Sequence, residues 1–245
     1  MPSLNRLAGV GALAAATALS ASACASSSSS TSALAGRSPD QIVQKSVADL
    51  KAASSVRITG KVVSSGQNIA VDLTDVAAQG CQGSIGLSAS ATSTSKAVSG
   101  TADIIEADST VYMKLSESFF TSAGLPASEF SAVSGKYIKL ASNSDLASFA
   151  QLCDPSTLST AFAKEDTGFV KAGTATINGQ QALAFRQPKN ASNGTVYVSD
   201  SATPQIVRIA GPANEGTIDF TDYNAHATIT APPASEVVDG SQFGL

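Results

Sequence analysis

From Val56 onwards, apolar residues recur at every second position along most of the chain. Val56, Ile58, Gly60 and Val62 alternate with Arg57, Thr59 and Lys61. Ile69, Val71 and Leu73 alternate with Ala70 and Asp72, and Gly83, Ile85 and Leu87 with Ser84 and Gly86. Successive side chains of a strand point to opposite faces, so the pattern dictates one apolar and one wet face. Antiparallel meanders accept that asymmetry, whereas parallel sheets are covered on both sides. Further strands are expected over 96–106, 110–115 and 136–140, then over 169–177, 182–187, 194–199, 205–210, 216–223 and 227–230. Asn178-Gly179 between two of them is a strong hairpin turn signal.

The period changes twice. Ser38 as N-cap, Pro39 in the first turn and Asp40 at the positive dipole end open a helix. Ile42, Val43, Val47 and Leu50 carry it at helical spacing to about Ala53. Between the two runs of strands, Ser144 or Asp145 caps a segment with Leu146, Phe149, Ala150 and Cys153 on one side. Asp154-Pro155 ends it and opens another, with Leu158, Ala161 and Phe162. The expected fold is α+β: a single strongly curved, mostly antiparallel sheet of about ten strands, with about three helices covering its concave face. So wide a twisted sheet tends to curl.

The amino-terminal segment sets the address. Arg6 precedes an uncharged Ala- and Leu-rich stretch from Leu7 to Leu19, too short to span a bilayer and fitting a signal peptide. Ala21-Ser22-Ala23 suits an ordinary signal peptidase; Ala21-Ser22-Ala23-Cys24 also resembles a bacterial lipobox, with Ala21 where Leu is usual. Both readings cut before Cys24, which becomes a lipid-bearing first residue or an unpaired terminal thiol. The Ser/Thr run that follows lacks the apolar content to fold and behaves as flexible coil. The expected organisation is a signal peptide over 1–23, a lipidated cysteine and tether over 24–37, one folded domain over 38–233 and a C-terminal tail over 234–245. The expected location is the cell membrane, lipid-anchored on the extracytoplasmic side.

Charged residues are only 14% of the chain and the net charge is −4, with no basic cluster, which argues against nucleic-acid binding. Of three cysteines, Cys24 is the odd one. In an oxidising compartment Cys81 and Cys153 are expected to pair as a structural disulfide. A metal pair or redox dithiol is the alternative, with no histidine nearby in sequence to support it.

Catalytic signals are weak. His226 is the only histidine, and no Gly-x-Ser-x-Gly is present. Asp72 and Asp75, Asp103 and Glu106, and Glu165 and Asp166 could suggest acid pairs, but they are expected on turns or solvent faces. No phosphate loop, dinucleotide fingerprint or zinc cluster is visible, and no cofactor is expected. Phe119, Phe120 and Leu125 are expected in a loop, either as an exposed membrane-facing cluster or as loop packing.

Several strand-and-turn stretches carry a resemblance: Ala107 to Leu115, Gly135 to Leu140, Thr176-Ile177-Asn178-Gly179-Gln180, Val196-Tyr197-Val198 with Pro204, and Ile218 to Tyr223. Their order, behind a lipoprotein signal and one helix, resembles the LppX/LprA/LprF/LprG family of actinobacterial envelope lipoproteins, similar in fold to LolA and LolB. The resemblance spans Ser38 to Pro233. It implies a U-shaped half-barrel and a non-enzymatic protein that binds a lipid or glycolipid in a hydrophobic cavity between sheet and helices and helps move it through the envelope, with an envelope transporter as candidate partner. Candidate walls are Ile58, Val62, Val71, Leu73, Ile85, Leu87, Val111, Met113, Leu115, Leu183 and Phe185 on strands, faced by Phe149, Leu152, Leu158 and Phe162 of the helical pair. Each would serve equally as ordinary core. The alternative is a non-catalytic envelope interaction or sensing module with a filled core.

Overall fold

Helix α1 (Pro39–Lys51) begins where Ser38-Pro39 requires it. The Ser38 hydroxyl accepts from the Gln41 N–H at 3.2 Å, and the Gln41 side-chain oxygen accepts from the Ser38 N–H at 3.0 Å. This reciprocal capping box satisfies two donors that the first turn leaves without partners. Asp40 takes the Phe169 N–H at 2.8 Å and ties the helix start to the second run of strands. Ile42, Val43 and Leu50 are buried.

The computed structural model describes residues 32–64, 66–91, 97–155, 167–189, 194–213 and 215–245. Ser32–Leu245 form one compact unit. The first meander comprises β1 (Ser55–Ser64), β2 (Gln67–Val76), β3 (Gly80–Ala89), β4 (Val98–Ala107), β5 (Thr110–Leu115) and β6 (Tyr137–Lys139). The second comprises β7 (Val170–Ile177), β8 (Gln180–Arg186), β9 (Thr195–Ser199), β10 (Ile206–Ala210) and β11 (Gly216–Thr221). Last comes β12 (Val237–Asp239). They form one twelve-stranded sheet in the order β12-β6-β5-β4-β3-β2-β1-β11-β10-β9-β8-β7. Every pairing is antiparallel except that of β12 with β6. The sheet is open, with β12 at one edge and β7 at the other.

Strand β1 is the seam: it pairs β2 on one side and β11 on the other, with Ile58 opposite both Leu73 and Phe220. The first meander runs outward from the seam, and the second runs back inward to it. The chain must therefore cross the sheet between β6 and β7, and again between β11 and β12. The first crossing carries a 3-10 helix (Asp145–Cys153) over β2, β3 and β4. The second runs across the opposite face: Ile229 packs against Val76 and Ala107, and its N–H donates to the Gln79 side chain at 3.1 Å.

Three cross-strand ion pairs lie on the wet face: Arg57–Asp72 at 2.9 Å, Lys114–Asp103 at 3.0 Å and Arg208–Asp219 at 2.6 Å. The first two are exposed, and such pairs contribute about 0–1 kcal/mol each and chiefly favour the register; Arg208–Asp219 is part-buried. Asn178 and Gly179 turn β7 into β8 with φ of 50° and 80°, as a two-residue hairpin requires.

Three expectations are corrected. Residues 227–230 form no strand; their alternation belongs to the second crossing, whose Ile229 is buried while Thr228 and Thr230 are exposed. Phe119 and Phe120 are not in a loop but in the short helix α2 (Glu117–Ser122), 3% and 0% exposed. The described residues form twelve strands rather than about ten, and residues past 233, expected as a tail, supply one edge. The expected second helix around Leu158, Ala161 and Phe162 lies outside the described residues.

Gly60 and Gly83 sit in mid-strand on the apolar face. A Cβ on Gly60 would lie 2.1 Å from the Thr217 carbonyl oxygen, and one on Gly83 2.0 Å from that of Asp72. The backbones approach so closely that only glycine fits. Gly83→Ala is expected to destabilise the fold by about 2 kcal/mol or more, read as a lowered urea midpoint.

Candidate ligand-binding layer and the disulfide corner

The strand registers stack the apolar side chains into rows. One row runs Ile138, Met113, Ile104, Gly83, Leu73, Ile58 and Phe220 across β6, β5, β4, β3, β2, β1 and β11. The next runs Leu115, Ala102, Ile85, Val71, Gly60, Ile218, Ile209, Val196 and Phe185, from β5 to β8. Ten of the twelve strands contribute buried residues to one continuous apolar cluster, together with α1, α2 and the 3-10 helix.

All described residues of the expected lipid-binding set belong to this layer, but they divide into two kinds. Ile58, Leu73 and Met113 are 0% exposed. Val71, Ile85, Leu115, Leu183 and Phe185 are also buried. Val62, Leu87, Val111, Phe149 and Leu152 are half-buried and form a rim around the filled part. Ile69, which sequence reasoning left out of the set, joins that rim through its register with Val62 and Leu87. The Phe149 ring meets Phe119 edge-on at 6.0 Å, fixing the 3-10 helix to α2. Leu158, Phe162 and Cys24 lie outside the described residues.

At the other end of the layer Cys81 of β3 and Cys153 form a disulfide, with Cα atoms 5.5 Å apart. Closing a loop of 72 residues is worth about 4 kcal/mol in the chain-entropy model. Asp75 and Glu106 flank Cys81 in register on the neighbouring strands, and Asp154 follows Cys153. Burial, then the charges of Asp154 and Glu106, pushes the Asp75 carboxyl up to about 6. Burial and then Asp154 raise Glu106 as well.

The expected solvent-face placement is thus corrected for Asp75 and Glu106. Residues three apart on a strand face opposite ways, so Asp72 joins Arg57 outside while Asp75 turns inward. Counting parity from Val71 and Leu73 would have found this. Glu165 and Asp166 lie outside the described residues, and His226 is exposed on the second crossing. Among the described residues no group of three or more His, Cys, Asp or Glu could hold a metal ion. Tyr223, just past β11, ties that end to β10: its hydroxyl donates to the Ile206 carbonyl at 2.7 Å, and burial followed by the Asp49 charge raises its phenol.

The fold so defined is a mostly antiparallel α+β sheet with the main apolar layer between one face and the short helices. No protein-family model matches the chain, and no curated protein matches it. Among solved structures it is similar to LprF from Mycobacterium bovis, at 15% identity, covering 80% of this chain and 97% of that one with a TM-score of 0.49. It is also similar to an uncharacterized conserved protein from Thermus thermophilus, at 10% identity, covering 83% and 99% with a TM-score of 0.33.

The disulfide corner sets a pH dependence. An unfolded aspartate titrates near 4, whereas folded Asp75 holds its proton to about 6. Between those values the folded state binds more protons, so stability falls as pH rises. The thermal midpoint is expected to drop from pH 5 to pH 7, and Asp75→Asn to flatten that slope and raise the midpoint at pH 7.

Proposed function

We propose that this chain is an exported lipoprotein, anchored through Cys24 outside the membrane, that binds a lipid or glycolipid between its sheet and helices and takes part in moving it within the envelope. The observation that supports it is the one-sided apolar layer, filled at its centre and bordered by the half-buried rim of Val62, Ile69, Leu87, Phe149 and Leu152. Acyl chains laid against that rim gain roughly 0.8 kcal/mol per buried methylene. A sheet curling around the layer would give the rim the depth an acyl chain needs. Among the described residues no helix is long and apolar enough to cross a membrane, so the anchor in this reading is the acylated cysteine. The role requires no catalytic group.

The fully enclosed Ile58, Leu73, Ile104 and Met113 favour a second reading, an envelope interaction module with a filled core. Native mass spectrometry of Ser32–Leu245 separates the two. The lipid reading expects a copurified lipid adduct, reduced at least tenfold by Leu87→Asn. A bare protein that also takes up no lipid on titration leaves the filled-core reading.

A further inference from the structure

One border of the apolar layer is acidic. Beyond the row that holds Leu73, Gly83 and Ile104, the next row across β1 to β5 is Val56, Asp75, Cys81, Glu106 and Val111. Residues directly opposite one another in antiparallel strands share a face. Asp75 and Glu106 therefore stand on the covered side of the sheet, on either side of a cysteine that is 0% exposed. Cys153, the last residue of the 3-10 helix, is bonded to that cysteine, and the helix packs on β2, β3 and β4. A third carboxylate, Asp154, follows at once.

A cavity of about 680 Å³ lies at this corner, lined by Asp75, Glu106, Cys153 and Asp154 among others. Helix α1 adds Lys51, which is exposed and is the one basic residue of that lining among the described residues. Strand β1 faces Asp75 with Val56, which carries no charge. Further along the 3-10 helix the cover rests on apolar contact, Phe149 against Phe119. At its Cys153 end it rests on acids. Covering an ionised carboxylate strips its water and leaves it close to like charge. The protonated form escapes both costs, so closing this corner takes up protons and ionisation pushes the helix end away. Burial first and then the Asp154 charge favour the protonated form of both carboxylates, and Asp75 changes form at about 6. The disulfide is the covalent bond that can hold the helix end down against this repulsion.

We propose that the 3-10 helix is an acid-closed lid on the apolar layer, locked by the Cys81–Cys153 disulfide. With the lock in place the helix stays shut. With the lock open it lifts at its Asp154 end when Asp75 and Glu106 lose their protons, carrying Leu152 off the layer. A dithiol opens the lock: one of its thiolates attacks the Cys153 sulfur, which lines the cavity, and Cys81 leaves as a thiol. The second sulfur of the reductant then displaces Cys153, so two cysteine thiols and one oxidised dithiol result. The lid works whatever the layer holds, so it stands apart from lipid binding.

The test is carbene footprinting of the full chain with a photoactivated diazirine amino acid at pH 5 and pH 7. One sample is oxidised; the other is reduced with dithiothreitol at pH 8 and exchanged without oxygen into each buffer. In the oxidised chain, labelling of the peptide carrying Phe149 and Leu152 is expected to change less than twofold between the two pH values. In the reduced chain it is expected to rise at least fivefold from pH 5 to pH 7, while labelling of the peptide carrying Ile104 stays constant. Cys81→Ala/Cys153→Ala needs no reductant and is expected to match the reduced chain. Adding Asp75→Asn and Glu106→Gln to it is expected to keep the lid shut at pH 7. Equal labelling of the reduced chain at both pH values overturns the proposal, as does an equally large pH response in the oxidised chain. So does a response that survives Asp75→Asn/Glu106→Gln. Labelling of Ile104 that rises in step means that the whole sheet opens, and it overturns the lid as well.

Discussion

A sheet with one apolar face has to be covered on that face, and this single requirement organises the molecule. A flat sheet of twelve strands would be roughly 50 Å wide, more than α1, α2 and a nine-residue 3-10 helix can cover as separate caps. The apolar side chains nevertheless form one cluster that reaches from Ile138 of β6 to Leu183 of β8. Each covering element is attached at a point that its packing alone would not secure. Asp40 holds α1 to Phe169, Cys153 holds the 3-10 helix to Cys81, and Gly100 lets α2 sit directly on β4, where a Cβ would lie 2.4 Å from the Phe119 nitrogen.

The alternation in the sequence was enough to identify most strands, because strand parity is a local property and burial enforces it. Helix α1 was legible for the same reason: Ser38-Pro39 specifies its start whatever it packs against. Tertiary pairing was less visible. Strand β12 is three residues long and pairs in parallel with β6, a partner that no neighbouring residue announces. Residues 227–230 alternate as a strand does, yet their backbone has no adjacent edge to join. Helix α2 is only six residues long; its cap, Ser116, is recognisable once the Phe119 N–H is seen to donate to it at 3.3 Å.

The candidate site was legible as a set but not in its internal division. Sequence parity assigns Ile58 and Leu87 to the same face, and they do share it. It does not say that Ile58 lies in the enclosed central row while Leu87 lies on the rim, because that depends on how far the covering elements extend. Asp75 and Glu106 were missed for a different reason. A carboxylate is normally expected in water, and that expectation outweighed a parity count that pointed the other way.

The seam between β1 and β11 carries a consequence for a chain that is made amino terminus first. Strand β1 emerges early, but its second partner follows only after roughly 150 intervening residues, from Val62 to Gly216. Until then the first meander exists as a half-sheet with its β1 edge bare, a template for pairing with another copy. The Cys81–Cys153 link can form in that interval, since both cysteines precede β7. Chain order thus permits the nascent half to be crosslinked before its exposed edge is closed.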